Sequence, residues 1–204
     1  MPNPLPPDAL IRVRVKAELR KRLRGVRATL PPEACAQRSA RIVARLEAHP
    51  AIVAAKSVAL FWPIVERREV DLRPLDASLR ARGVAVAYPS IDPETRAMTF
   101  RFSTTEELEE RGLGFAEPPA TAPEASPGGL DVVVIPAIAI DPAGHRVGYG
   151  AGYYDRTVAR FAPPAITIGV AYDFQLVIEV PFTEHDVPLR HVVTDEREMV
   201  AIPA

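Results

Sequence analysis

The residues best suited to chemistry lie in one glycine-rich segment, residues 141–156, which reads DPAGHRVGYGAGYYDR. Gly148, Gly150 and Gly152 alternate in this segment, so the backbone can adopt positive φ angles and can approach a ligand without intervening side chains. Consecutive exposed N–H groups in such a turn form a concavity that binds anions. The segment therefore predicts a turn that binds a phosphate group.

Charged and aromatic side chains on both sides of the turn favour the same prediction. Arg146 and Arg156 supply cations suited to phosphate oxygens. Tyr153 and Tyr154 offer ring faces for a flat heterocycle, and a helix that begins near Tyr153 would add its first N–H groups to the site. Asp155 adds a hard oxygen ligand of the type that Mg²⁺ uses beside bound phosphate. The alternative is a structural glycine turn whose two tyrosines belong to the core.

A dinucleotide-binding fingerprint is a second alternative for the same glycines. Asp173 follows them by about twenty residues, after a predicted strand, where an acid that binds ribose is expected. However, the spacing is G-x-G-x-G and not G-x-G-x-x-G, and the preceding strand ends near Ile140, before the first glycine. A nicotinamide-dependent oxidoreductase is therefore the less favoured hypothesis.

Basic residues dominate the first predicted helix, which starts at Asp8. Apolar residues at spacings of three and four predict its buried face: Ile11, Val15, Leu19, Leu23 and Val26. The other faces carry cations that we interpret as a mostly solvated surface: Arg12, Arg14, Lys16, Arg20, Lys21, Arg22, Arg24 and Arg27. Lys16 and Arg20 are four positions apart, so their charged groups lie on one side of the helix.

Short apolar runs alternate with further helical segments along the rest of the chain. Helices are predicted from residues 31–32 to 49–50 and over 71–82. Strands are predicted at 57–62, 84–88 (stopped by Pro89), 98–102 (at an edge), 130–135, 166–171 and 192–194, with a proline-rich loop at 117–127. This order predicts a three-layer α/β/α domain with a mostly parallel sheet and an added basic N-terminal helix. Ligands bind beyond the carboxyl ends of such strands, so we expect function in the loops after Trp62, Tyr88, Ile140 and Ala171.

Composition limits the class of protein. The 204 residues, 48% of them hydrophobic and 25% charged, fit one domain over residues 1–204, with residues 1–7 as a disordered tail. A net charge of −1 favours no nucleic-acid partner. The longest apolar run, 132–140, is too short to cross a bilayer, so we expect no membrane partner. The single cysteine, Cys35, excludes an internal disulfide and favours a reducing, cytoplasmic location.

The string RVGYGAGYYDR at residues 146–156, which follows VVVIPAIAID at 132–141, resembles the signature of the 5-formyltetrahydrofolate cyclo-ligase family. Further resemblances follow in the family's order over nearly the whole chain: KAELR at 16–20, WP at 62–63, EVD at 69–71, GFAEPP at 114–119, GVAY at 169–172, QL at 175–176, residues 181–187 and VVT at 192–194. Ala151 replaces a glycine that is frequent in the family, and the loop at 64–68 is longer than the family pattern.

The resemblance implies a ligase that converts 5-formyltetrahydrofolate to 5,10-methenyltetrahydrofolate with ATP and Mg²⁺ and releases ADP and phosphate. It implies Arg146, Lys16 and Arg20 as catalytic cations. It assigns ATP to Lys16, Arg20, Arg146, Val147, Gly148, Tyr149, Gly150, Ala151, Gly152, Tyr153 and Tyr154. It assigns the folate to Trp62, Glu69, Tyr149, Gly150, Ala151, Gly152 and Tyr153. Asp155 and Asp186 would ligate Mg²⁺, and we expect a monomer or a weak homodimer.

Other roles for these residues also fit the sequence. Trp62 suits the core, Glu69 the start of the following helix, and Asp186 a turn. A folate- or nucleotide-binding paralogue without turnover is the alternative function, although it would have no need to keep the cations and Asp155. Three histidines lack the spacing of metal ligands and receive no role: His145, His185 and His191.

Overall fold

The computed structural model describes residues 7–111, 114–183 and 186–202. The helices are α1 (Pro7–Thr29), α2 (Pro32–Ala48), α3 (Pro50–Ala54), α4 (Arg73–Ala81) and α5 (Tyr153–Val158). The strands are β1 (Ser57–Ala59), β2 (Ala85–Ile91), β3 (Met98–Phe102), β4 (Glu109–Glu110), β5 (Ala116–Glu117), β6 (Val132–Pro136), β7 (Ala139–Ile140), β8 (Arg146–Val147), β9 (Ile166–Val170), β10 (His191–Val193) and β11 (Glu198–Val200). Residues 1–6 of the expected tail, and His185, lie outside the described residues.

A mostly parallel sheet forms the centre of the molecule, as predicted. In the described residues its strand order is β11-β10-β9-β6-β1-β2-β3, and β3 and β11 pair antiparallel at the two edges. The predicted edge strand at 98–102 is β3. The last strand, β11, was not predicted, because its three residues include a glutamate and have no apolar run. Two short hairpins, β4–β5 and β7–β8, lie beside the sheet.

Helices cover the two faces of the sheet unequally. Alternate strand residues such as Val58 and Val132 pack with Ile42 and Leu46 of α2 and with the buried side of α4. The intervening residues, such as Val133, belong to a second apolar cluster on the opposite face. In the described residues, α5 and its neighbouring loops supply this second layer. No described helix combines the length and the apolar character needed to cross a bilayer.

Strand β2 is longer than predicted, because it continues through Pro89 to Ile91. Strand β1 pairs with β2 only as far as Ala87, whereas β3 pairs with β2 from Ala87 to Ile91. At position 89 the strand therefore has a partner on one side, as at a sheet edge. A proline without an N–H group is tolerated in that position.

The predicted buried face of α1 is wrong in part. Ile11, Val15 and Val26 are exposed, whereas Leu23 is buried. Leu19 and Leu23 pack with residues of the β7–β8 hairpin and the segment before it. Arg27, assigned above to the solvated surface, is only 4% exposed. The reason is that α1 contacts the molecule through one narrow stripe, whose position depends on the hairpin that it covers.

A buried polar network anchors α4 to the sheet. Tyr88 donates a hydrogen bond to the buried carboxylate of Asp76, and Arg80 donates to the same carboxylate at 2.9 Å. Burial, and then the bond to Asp76, raises the pKa of Tyr88 well above its ordinary value. The phenol therefore stays protonated and acts as the donor.

Replacing Asp76 by alanine is expected to lower the free energy of unfolding by about 3 kcal/mol, because a buried donor and a partly buried cation lose their acceptor. Urea denaturation would measure the change. Glu124→Ala removes an exposed carboxylate that lies 3.4 Å from Arg101, and should cost less than about 1 kcal/mol. Equal losses for the two variants would contradict the importance of the Asp76 network.

Candidate active site

A cavity of about 430 Å³ lies where the parallel strands end. Residues that follow β1, residues at the end of β2, and Pro136 at the end of β6 contribute to its wall. Helix α1 and the glycine-rich turn before α5 complete it. Two expected positions, after Trp62 and Tyr88, are therefore part of the wall, as is the segment beyond Ile140. The loop that follows Ala171 and leads to β10 contributes Asp186.

The predicted site residues come together in this one cavity. Those that line it are Lys16, Arg20, Trp62, Glu69, Arg146, Gly148, Tyr149, Gly150, Ala151, Gly152, Tyr153, Tyr154, Asp155 and Asp186. Val147 differs, because it is buried beneath the turn in the cluster that contains Leu23. The division of these residues among ATP, folate and metal stays a prediction.

The glycine-rich turn has the backbone conformation that its glycines permit. Gly150 has a φ of +106° and Gly152 a φ of +67°, values that side-chain-bearing residues rarely adopt. Helix α5 begins at Tyr153, as predicted. Arg20 donates from Nε to the carbonyl of Gly148 at 2.8 Å, and its guanidinium lies 3.6 Å from where a Cβ of residue 150 would be. Arg20 therefore braces the turn from the side of α1.

Arg146 is the most deeply buried cation among the described residues that line the cavity, with 7% exposure. It donates hydrogen bonds to the carboxylate of Asp155 and to the carbonyl of Val187. Burial lowers the pKa of Arg146, while Asp155 and Asp186 act in the opposite direction. Both carboxylates therefore lie close enough to interact with this guanidinium, which stays charged at neutral pH.

Lys16 and Asp186 form a second ion pair, across 170 positions of the chain. Nζ of Lys16 lies 3.1 and 3.0 Å from the two carboxylate oxygens. Burial acts to raise the pKa of Asp186, but hydrogen bonds from Lys16 and from the backbone of Thr183 lower it overall. The bond to the Thr183 N–H, at 2.7 Å, shows that the turn role also applies. Asp186 is ionised at neutral pH.

Glu69 occupies another part of the cavity and is itself buried. Tyr149 donates a hydrogen bond to Oε1 of Glu69, and the backbone N–H of Ile64 donates to Oε2 at 2.9 Å. Burial, and then the charge of Glu69, raises the pKa of Tyr149 to about 12. These contacts exclude the alternative role of Glu69 at the start of α4, which begins at Arg73.

Apolar and aromatic side chains form the rest of the wall. Phe61, Ile91, Met98 and Phe115 line the cavity together with Trp62. Trp62 packs edge-to-face on Tyr88, with ring centroids 6.0 Å apart, so it belongs both to the core and to the cavity. The cavity thus combines cations, carboxylates and flat apolar surface, which suits a ligand with a phosphate chain and a planar heterocycle.

Residues 12–195 match the model of the 5-formyltetrahydrofolate cyclo-ligase family. The chain belongs to this family. The curated 5-formyltetrahydrofolate cyclo-ligase of Escherichia coli is 31% identical over 179 residues, which cover 86% of this chain and 97% of that protein. The same enzyme of Mycolicibacterium smegmatis is 44% identical over 91 residues, which cover 44% of this chain and 47% of that relative.

Solved structures show the same fold. The NMR structure of the Aquifex aeolicus 5,10-methenyltetrahydrofolate synthetase superposes with a TM-score of 0.80 at 29% identity, covering 93% of this chain and 94% of that one. The family, the α/β fold and the ligase class expected for this cyclo-ligase are therefore confirmed.

The dinucleotide interpretation gains no support from this cyclo-ligase fold. The carboxylate of Asp173 accepts two hydrogen bonds from Arg197, each at 2.8 Å, and one from Thr194 at 2.8 Å. Asp173 is not among the described residues that line the cavity. Its partners belong to the turn between β10 and β11, which the sequence did not predict.

Two cations of the cyclo-ligase site were not predicted. Arg67 lines the cavity, and Arg27 donates to the hydroxyl of Tyr149 at 2.7 Å. Arg27 is seven positions after Arg20 and four after Leu23, so helical spacing places it on the stripe that contacts the molecule. The spacing was therefore a signal in the sequence that could have identified Arg27. Arg156, which we expected near phosphate, is exposed, donates to the carbonyl of Ala151 and is not among the described residues that line the cavity.

Proposed function

We propose that this cyclo-ligase converts 5-formyltetrahydrofolate to 5,10-methenyltetrahydrofolate, using ATP with Mg²⁺ and releasing ADP and phosphate. The observation that carries the proposal is the cavity itself. It combines Lys16, Arg20 and Arg146 at the glycine-rich turn with Glu69 and Trp62 in one space. The names of the relatives and of the Aquifex aeolicus structure support the folate substrate and the product.

The chemistry explains why cations are needed. The formyl oxygen leaves poorly as hydroxide or oxide. Transfer of the γ-phosphoryl group to this oxygen releases ADP and converts the oxygen into part of a phosphate. N10 then attacks the formyl carbon and loses its proton, and the carbon–oxygen bond breaks to release phosphate. Such phosphoryl transfer depends mainly on positioning and on stabilisation of the transferred charge.

In this proposal the cations hold the phosphates of ATP and neutralise the developing charge. Arg146 is fixed at Asp155 and at the Val187 carbonyl, so little reorganisation is needed. Arg20 already donates a hydrogen bond to the turn. Its positive charge would add to the anion site that the turn forms. Lys16 is held at Asp186 and can exchange this partner for a phosphate oxygen.

The two carboxylates near Arg146 fit a magnesium ion. Mg²⁺ is usually held by one or two carboxylates together with substrate phosphates, and Asp155 and Asp186 provide this number. No group of three or more His, Cys, Asp and Glu residues that could hold a metal occurs in the described residues, so phosphate oxygens would complete the ligands. When bound, Mg²⁺ would offset negative charge on the phosphate chain.

The remaining part of the cavity suits the folate. Glu69 accepts two hydrogen bonds in the structure, and a carboxylate can accept about four. It therefore keeps capacity for N–H donors of the pterin ring. Trp62 and Tyr153 offer ring surface on the same cavity. A cytoplasmic location and a monomeric or weakly dimeric state stay predictions.

The direct test mixes the purified chain with 5-formyltetrahydrofolate and MgATP and follows the methenyl product by its near-ultraviolet absorbance, with ADP measured in parallel. We expect product only when ATP is present, with one ADP released for each product formed. Binding of folate and ATP without product would instead identify a non-catalytic paralogue. Product without ATP would contradict the phosphoryl-transfer route.

A further inference from the structure

We propose that Arg27 is a positioning residue for the folate, acting on Glu69 through the hydroxyl of Tyr149. This inference rests on the proposed function, in which Glu69 contacts the folate. It assigns a role to a cation that does not line the cavity described above and that lies in the last turn of α1.

A directed chain of hydrogen bonds links the three side chains. Arg27 donates from Nη2 to the hydroxyl oxygen of Tyr149 at 2.7 Å, and that hydroxyl donates to Oε1 of Glu69. The pKa of Tyr149 is raised to about 12, first by burial, so the hydroxyl keeps its proton and can donate. A donor that also accepts a charge-assisted hydrogen bond is polarised and binds its own acceptor more strongly.

Glu69 is held at two further points. The backbone N–H of Ile64 donates to Oε2 at 2.9 Å, and the hydroxyl of Tyr172 donates to the backbone carbonyl of Glu69 at 3.2 Å. Tyr172 is fully buried, which makes this an anchor in the core. With the main chain and Oε2 fixed, the bond from Tyr149 determines the remaining rotation of the carboxylate and thus the direction of its free lone pairs.

Arg27 is buried, which is unfavourable for a guanidinium and indicates that its side chain makes a required contact. The residue is 4% exposed, and its Nε has no hydrogen-bond partner in the described residues. No carboxylate of the described residues lies within ion-pair distance of it. Burying a guanidinium in this way is unfavourable unless its hydrogen bonds are made. The observed hydrogen bond to Tyr149 and the negative, C-terminal end of the α1 dipole offset this unfavourable burial.

Neighbouring cations provide a control within the same structure. Arg24, Arg27 and Arg67 lie 5.7, 6.0 and 5.1 Å from the centroid of the Tyr149 ring. Arg24 is exposed, whereas Arg27 donates a hydrogen bond to the hydroxyl at 2.7 Å. A general electrostatic effect would therefore also involve Arg24, whereas an effect through the hydroxyl requires Arg27.

The test uses the full chain and its single tryptophan, Trp62, which lines the cavity. Quenching of its fluorescence would give the Kd of 5-formyltetrahydrofolate and, in a separate titration, the Kd of MgATP. The variants are Arg27→Met, Arg27→Lys, the control Arg24→Met, Tyr149→Phe and the double variant of Arg27→Met with Tyr149→Phe. Turnover and the thermal midpoint are measured for each.

Arg27→Met is expected to raise the Kd of the folate about tenfold and to leave the Kd of MgATP unchanged. Arg27→Lys should recover part of the loss, Arg24→Met should behave like the wild type, and Arg27→Met should add nothing in the Tyr149→Phe background. Equal effects of Arg27→Met and Arg24→Met, equal losses of folate and MgATP affinity, or additivity with Tyr149→Phe would overturn the inference. Folate binding without turnover in the wild type would overturn the proposed function. It would not overturn the role of Arg27, which the comparison of Kd values would still test.

Discussion

Arg146→Gln is expected to lower kcat about 1000-fold, because it removes the buried cation that interacts with both Asp155 and Asp186. The guanidinium bonds to Asp155 and Val187 and interacts with Asp186. Without it, two negative charges would face the phosphate chain of ATP with one fewer counter-charge. The loss corresponds to about 4 kcal/mol of transition-state stabilisation.

The measurement is kcat at saturating 5-formyltetrahydrofolate and MgATP, with urea denaturation as a check on folding. Arg146→Lys keeps a charge but cannot make both guanidinium contacts, so it should recover only part of the activity. Arg156→Gln is the matched control, because this exposed arginine follows the turn and donates to the carbonyl of Ala151. A well-folded Arg146→Gln variant that retains a tenth or more of wild-type kcat would exclude the proposed role.

Asp155→Asn is expected to lower turnover about 100-fold at limiting Mg²⁺, with partial recovery as the Mg²⁺ concentration rises. The substitution keeps the size of the side chain and an oxygen that can accept the bond from Arg146. It removes the negative charge that a metal ligand needs. The fold should therefore be retained while metal affinity falls.

The measurement is turnover as a function of Mg²⁺ concentration at a fixed ATP concentration. Asp173→Asn serves as the control, because Asp173 is the acid on which the dinucleotide interpretation depends and is bound to Arg197 and Thr194. It should leave the Mg²⁺ dependence unchanged. A wild-type response of Asp155→Asn to limiting Mg²⁺ would remove Asp155 from the metal site.

The local sequence around the glycine-rich turn was sufficient to predict much of the site. Gly150 and Gly152 have the positive φ angles that their lack of a side chain permits, and α5 begins at Tyr153. The apolar runs also predicted the parallel sheet, since a strand buried on both faces has to be apolar throughout. Both properties depend on residues close together in the chain, which is why the sequence could show them.

Properties that depend on distant partners were not predictable in this way. Helical periodicity indicated an apolar face for α1 but not which stripe would be covered, because the β7–β8 hairpin that covers it comes more than a hundred positions later. The same reason applies to Pro89, whose tolerance in β2 depends on where β1 ends. Asp173 matched a spacing, but its actual partner is Arg197 on a turn that had no signal.

By itself, therefore, the sequence determined the family resemblance, the main helices and parallel strands, and most of the residues that line one cavity. Only the tertiary structure decided how those residues are paired: Lys16 with Asp186, Arg146 with Asp155, and Arg27 with Glu69 through Tyr149. The physical reason is that backbone conformation and burial period are local properties, whereas a hydrogen bond or an ion pair requires two groups within about 3 Å. Packing of α1 against the β7–β8 hairpin brings Lys16 to Asp186 and Arg27 to Tyr149.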